Sequence, residues 1–230
     1  MKSLTSPLDN PAWNALQSLH QPYATGTANV SRYPAEILPF IAIKEHNTHF
    51  LSEITPYVDA AEKLFLIGDR PQLPENWTLH SDLECLQMVW TGLKNFEQNK
   101  TLQITMLGQQ HRTEMFDFVN SIQPGYFKIN TPMLGNYYGI RVHGKLAAIA
   151  GERLKMTGFT EISAVCTHPE FSGRGFAQQL MGHLFHQIRE SSAVPFLHVL
   201  QSNQRAVRLY EFLGFETRRD IHFSQIGPKT

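Results

Sequence analysis

The segment Val165-Cys166-Thr167-His168-Pro169-Glu170-Phe171-Ser172-Gly173-Arg174-Gly175-Phe176-Ala177 constrains the chain more than any other. An extended run ends at Pro169, and Gly173 and Gly175 stand where an amphipathic helical pattern begins. A strand must stop, turn tightly and enter a helix. Such a turn aims several free N–H groups at one point, where the helix dipole adds about half a positive charge. The result is an anion site suited to a pyrophosphate, and Arg174 adds a charge-assisted donor. Two phosphate loops are excluded: no Gly-Lys-Ser/Thr follows, and Gln178 occupies the third small position of a dinucleotide fingerprint.

Around this segment the patterns alternate. Residues 102–107 read as a strand, 111–121 as a helix, and 138–142 with 146–153 as two strands across the turn pair His143-Gly144. A strand at 159–167, a helix at 175–189, a strand at 196–201, a helix at 203–213 and a strand at 215–226 follow. That order predicts a mixed α/β sheet of about 120 residues. Upstream, 11–20 opens as a Pro-started helix, 33–43, 63–67 and 83–90 read as short strands, and 56–62 as a helical turn. Residues 94–100 (KNFEQNK) are linker-like, so a boundary is expected near residue 100, dividing the chain into 1–100 and 101–230.

A second motif lies about 30 residues beyond the first: Asn203, Ala206 and Tyr210 on one helix face, then Gly214-Phe215. With Ser172-Gly173-Arg174-Gly175-Phe176-Ala177, it resembles the GNAT superfamily of N-acyltransferases, whose acyl-CoA loop reads (Gln/Arg)-x-x-Gly-x-(Gly/Ala). The departure is Ser172, in place of Gln or Arg. Residues 159–169 and 195–199 are similar to the glycine N-acyltransferase-like branch, and the likeness spans about 102–226. It implies the GNAT fold, a mostly antiparallel mixed sheet with splayed central strands, preceded by a smaller α/β portion that would be a degenerate GNAT-like half.

The resemblance also implies a reaction: transfer of an acetyl group from acetyl-CoA to a primary amine of a small molecule or amino acid by direct attack. The backbone of Val165 and Thr167 would pair with the pantetheine arm, and Ser172, Gly173, Arg174, Gly175 and Ala177 would hold the pyrophosphate. Tyr210 is the expected general acid, since a phenol of pKa about 10 suits a thiolate of about 8–9; the plainer reading is a tyrosine packing its helix. Asn203 is a cofactor contact or an ordinary N-cap. Glu161 is the first choice for the base, against a solvent-facing charge, and Glu152 the second, against an ion pair with Arg153 or Arg141. Strand parity sets Glu161, Ser163 and Val165 on one side unless a bulge intervenes. Phe127, Met133, Tyr137 and Tyr138 are candidate walls of the acceptor pocket.

Composition narrows the alternatives. Lys+Arg and Asp+Glu each number 20, so nothing announces nucleic acid. Residues 1–100 carry 7 basic and 11 acidic residues, and 101–230 carry 13 and 9, which places a positive excess in the half with the phosphate loop. Cys85 and Cys166 form no CxxC; His183-x-x-His186, with His198 as a third ligand, would suit a metal, but i, i+3 histidines on an amphipathic helix mark its wet face, so no metal is expected. No leader or spanning segment is expected either, hence no membrane partner and a cytoplasmic monomer or homodimer. Two other readings remain open: an acetyltransferase of proteins or peptides, which calls for an open groove, and a non-catalytic acyl-CoA-binding regulatory module.

Overall fold

The computed structural model describes residues 6–92, 99 and 101–229. The linker-like 94–100 segment lies outside these, apart from Asn99. Among the described residues the α-helices are α1 (Pro11–Leu16), α2 (Leu51–Ile54), α3 (Arg112–Ile122), α4 (Phe176–Glu190) and α5 (Gln204–Phe212). The strands of the first half are β1 (Thr25–Gly26), β2 (Val30–Arg32), β3 (Phe40–Ile43), β4 (Leu64–Gly68) and β5 (Trp77–Trp90). Those of the second are β6 (Ile104–Met106), β7 (Tyr137–Val142), β8 (Lys145–Met156), β9 (Phe159–Thr167), β10 (Val194–Leu200) and β11 (Phe215–Pro228). The expected strand at 33–43 shortens to four residues because 35–37 form a turn after Pro34. The strand at 83–90 begins six residues earlier than its apolar run, since its outer part pairs along β11.

All eleven strands form one sheet in the order β1-β2-β3-β4-β11-β5-β10-β9-β8-β7-β6. Most neighbours are antiparallel, while β3–β4 and β10–β9 are parallel. The fold is thus the mixed, mostly antiparallel α/β sheet that the sequence predicts. β5, from the first half, lies between β10 and β11 of the second. One apolar cluster accordingly draws on both halves, with Leu8, Phe40 and Phe65 against Phe196, Leu154 and Phe223.

α4 covers the sheet with one stripe of Phe176, Leu180, Met181, Leu184, Phe185 and Ile188. Burial of each such side chain contributes roughly 2 kcal/mol, which holds α4 and the glycine loop before it in place. Among the described residues, no helix is long and apolar enough to cross a membrane.

Two irregularities shape the centre. In β9, Ala164 has φ of 51°, and the register with β8 steps from Ile149↔Cys166 to Gly151↔Ser163. The extra residue in β9 is a bulge, so the parity that would align Val165 with Ser163 and Glu161 fails at Ala164. In β8 the register steps from Glu152↔Ile162 to Lys155↔Thr160, an extra residue that sets Arg153 and Leu154 opposite Glu161. β9 and β10 pair only from Phe159↔Val194 to Glu161↔Phe196, after which β10 follows β5. Beyond Glu161 the two central strands diverge.

Candidate active site

A cavity of about 740 Å³ fills the divergence. At one end lie Ser172, Gly173, Arg174, Gly175 and Ala177, with Val165 and Thr167 along its wall. Gly173 and Gly175 have φ of 81° and 76°, the left-handed region that a side chain disfavours, and a Cβ at Gly173 would meet nothing within 4 Å. Strain, not crowding, therefore demands glycine here. Gly175 is the N-cap of α4, whose first-turn N–H groups have no intrahelical acceptor. Arg174 is exposed, its guanidinium carbon 5.1 Å from the Phe171 ring. Arg205, on α5, donates to Ser172 Oγ at 2.7 Å. The hydroxyl thus brings a second guanidinium to the loop, where longer side chains stand in the family pattern. The open cradle and two cations fit a pyrophosphate.

Asn203 caps α5, its Oδ1 accepting from Ala206 N–H at 3.2 Å, and it also lines the cavity. Tyr210 is 9% exposed and lines the cavity farther in. Its hydroxyl has no hydrogen-bond partner among the described residues, and burial raises its pKa, so it is a protonated donor at neutral pH. Val165, Thr167, the loop, Asn203 and Tyr210 therefore share one space.

Glu161 does not open to it in the same way. It is fully buried. Oε1 accepts from Arg153 Nη2 at 2.5 Å and from His198 Nδ1 at 2.7 Å; Oε2 accepts from Arg153 Nε at 2.8 Å and from Leu154 N–H at 3.3 Å. Burial pushes its pKa up, but the charge and hydrogen bonds of Arg153, with those of His198, outweigh this and hold it at about 2. Its acceptor positions are all engaged. The tautomer of His198 follows from its other neighbour. Gln87 Oε1 accepts from Arg218 at 2.7 Å, so its Nε2 is the group that donates to Leu8 O at 2.8 Å and to His198 Nε2 at 3.0 Å. His198 Nε2 must then accept and Nδ1–H donate, which makes the ring neutral; burial likewise lowers its pKa.

Glu152 is buried away from the cavity lining, bonded to Asn136 N–H at 2.9 Å and Lys155 Nζ at 2.8 Å. Its expected partners, Arg153 and Arg141, instead pair with Glu161 and Glu114. Of the four expected wall residues, Phe127 lines the cavity, Met133 is 44% exposed, and Tyr137 and Tyr138 pack in the core. Tyr126, Phe223 and Arg153, which no sequence motif marks, also line it. The sequence pattern offers Arg153 only as a partner for Glu152, because a β8 bulge has no sequence signal here. Among the described residues, no group of three or more His, Cys, Asp and Glu side chains is placed to hold a metal ion.

A glycine loop at the head of α4 thus opens, between splayed strands, onto Tyr210. The chain is 32% identical to a GNAT-family protein from Novosphingobium aromaticivorans DSM 12444, over 97% of this chain and 99% of that one, with a TM-score of 0.88. It belongs to the GNAT family. The FR47-like protein family matches residues 137–224, the stretch that holds both motifs. A GCN5-related N-acetyltransferase from Kribbella flavida shares the fold at 14% identity and a TM-score of 0.69, covering 100% of this chain and 98% of that one. A GCN5-related N-acetyltransferase-like protein from Streptococcus suis does so at 12% identity and 0.60, covering 95% and 94%. No curated protein matches the chain at a significant level.

Proposed function

We propose that the chain is an N-acetyltransferase that moves an acetyl group from acetyl-CoA to a primary amine of a small molecule or amino acid within a ternary complex. The observation that carries this reading is the single cavity joining the Gly173–Gly175 cradle, the unpaired inner edge of β9 and Tyr210. When bound, acetyl-CoA supplies the thioester carbonyl. The loop amides, Arg174 and Arg205 hold the phosphates, and the backbone of Val165 and Thr167 pairs with the pantetheine arm. The bulge at Ala164 re-aims the backbone of β9, and the N–H near Val165 is assigned to polarise the thioester oxygen. Tyr210 donates a proton to the departing sulfur. Glu161 is assigned as the anchor of Arg153 and not as the base, since four donors already occupy its oxygens. The amine proton then leaves to water.

The acceptor end supports a small substrate over a peptide. The segment that walls it is pinned to the first half: Thr131 Oγ1 donates to Ile37 O at 2.6 Å, Asn130 N–H to Glu36 O at 3.0 Å, and His20 contacts Leu134 O at 3.1 Å. We assign residues 1–100 two tasks on this basis, supplying the inserted strand β5 and buttressing the acceptor wall. That division, and the likeness of 159–169 to the glycine N-acyltransferase-like branch, belong to the same proposal.

The test is release of CoA thiol from acetyl-CoA across a panel of amines. Amine-dependent release is expected, and tight CoA binding with no release for any amine or acyl chain would leave a regulatory module as the better reading.

A further inference from the structure

We infer that the acceptor end of the cavity is built for an amine that also bears a carboxylate, held by Arg153 Nη1. The inference rests on the N-acetyltransferase reading and names the substrate class of that site. Arg153 is 7% exposed and reaches Glu161 through Nε and Nη2 alone. Nη1, with two N–H groups, has no hydrogen-bond partner among the described residues, nor is it among the polar atoms sealed from solvent. It belongs to a residue that lines the cavity. A guanidinium donor left unpaired at such depth is costly unless a ligand or water meets it, and its planar fork suits a carboxylate oxygen.

The fork is also held still. Its central carbon lies 5.0 Å from the Phe40 ring, 5.8 Å from Phe223 and 5.9 Å from Tyr126, while Glu161 fixes its opposite edge. The β8 bulge brings Arg153 opposite Glu161, the last residue of β9 paired to β10 before the strands part. Arg153 thus sits near the apex of the cleft, with the phosphate cradle where the strands are open. The charges favour the same substrate. Arg153 and Glu161 cancel, His198 is neutral, and among the described residues the lining contains no carboxylate. A bare ammonium finds no anion there, whereas a carboxylate finds two N–H donors.

The test pairs amino acids with their decarboxylated amines and their amides. It measures CoA-thiol release and, separately, calorimetric binding to the CoA-loaded protein. The carboxylate-bearing member should be preferred by roughly 10- to 100-fold in kcat/KM. The double variant Arg153→Met, Glu161→Gln removes both charges together and should bring that ratio near one while CoA binding is retained. Turnover of amine and amide as fast as the amino acid overturns the inference and leaves the transferase reading standing. Preferential binding of the carboxylate-bearing member without any thiol release supports the Arg153 site and removes the transferase reading. Binding of no carboxylate-bearing compound overturns the inference. The wild-type ratio decides by itself should the double variant fail to fold.

Discussion

Replacing Glu161 by Gln leaves the shape of the buried cluster nearly intact but strips Arg153 of its counter-charge. Breaking one side of a buried ion pair costs about 3–5 kcal/mol, because the remaining charge stays desolvated and uncompensated. Linkage gives an independent magnitude. The carboxyl is held at about 2, against an ordinary value of 4.5. Because the folded-state pKa is depressed, this stabilisation is fully present above pH 4.5 and is lost as pH falls towards 2. At 1.36 kcal/mol per unit it amounts to about 3 kcal/mol. Urea unfolding of the wild type and Glu161→Gln, followed from pH 7 to pH 2, measures both. The stability gap should be about 3 kcal/mol at neutral pH and close progressively below pH 4.5. A gap near zero at pH 7, or one that persists unchanged to pH 2, would refute the reading of Glu161 as a saturated ion-pair anchor. Kinetics separates the anchor from a base. The anchor predicts a raised acceptor KM and no acid limb near pH 4–6 attributable to residue 161, while a base predicts the loss of such a limb with kcat.

Tyr210→Phe should lower turnover by about 100-fold while sparing CoA affinity, and an unchanged rate would remove the phenol from the chemistry. Gly173→Ala should weaken CoA binding, since a non-glycine residue in the left-handed region costs roughly 1–2 kcal/mol; calorimetry with CoA measures it, and equal affinity would discount the cradle. Arg205→Ala should raise the CoA Kd and flatten its salt dependence, as titration at two ionic strengths would show. Asn203→Ala removes a helix cap worth about 1 kcal/mol, so thermal unfolding should register it, and a loss of CoA affinity beyond that destabilisation would mark a direct ligand contact.

The elements nearest the chemistry were legible because local rules govern them. β9 starts and ends where its alternating pattern and Pro169 place it, and α4 begins at the Gly175 cap that the turn demands. Asn203 heads α5 as a side-chain cap, one of the two roles its position allows. Glu161 was the harder residue. Its position on the central strand was plain, but its environment depends on a bulge in β8, a histidine on β10 and a glutamine on β5. Those partners lie 8 to 37 residues away for Arg153 and His198, and 111 residues separate His198 from Gln87.

The amino-acid sequence alone determined the class of chain: a strand–turn–helix with glycines where backbone strain requires them, a capped second helix, and an α/β order. These are short-range consequences of φ preferences, hydrogen-bond caps and periodicity, and each is complete within a few residues. Only the tertiary structure decided that β5 crosses from the first half into the sheet of the second, that β9 and β10 part after Glu161, and that Arg153 faces the space between them. Those outcomes depend on pairing register and on which buried charges find one another, and both are set by contacts between distant segments.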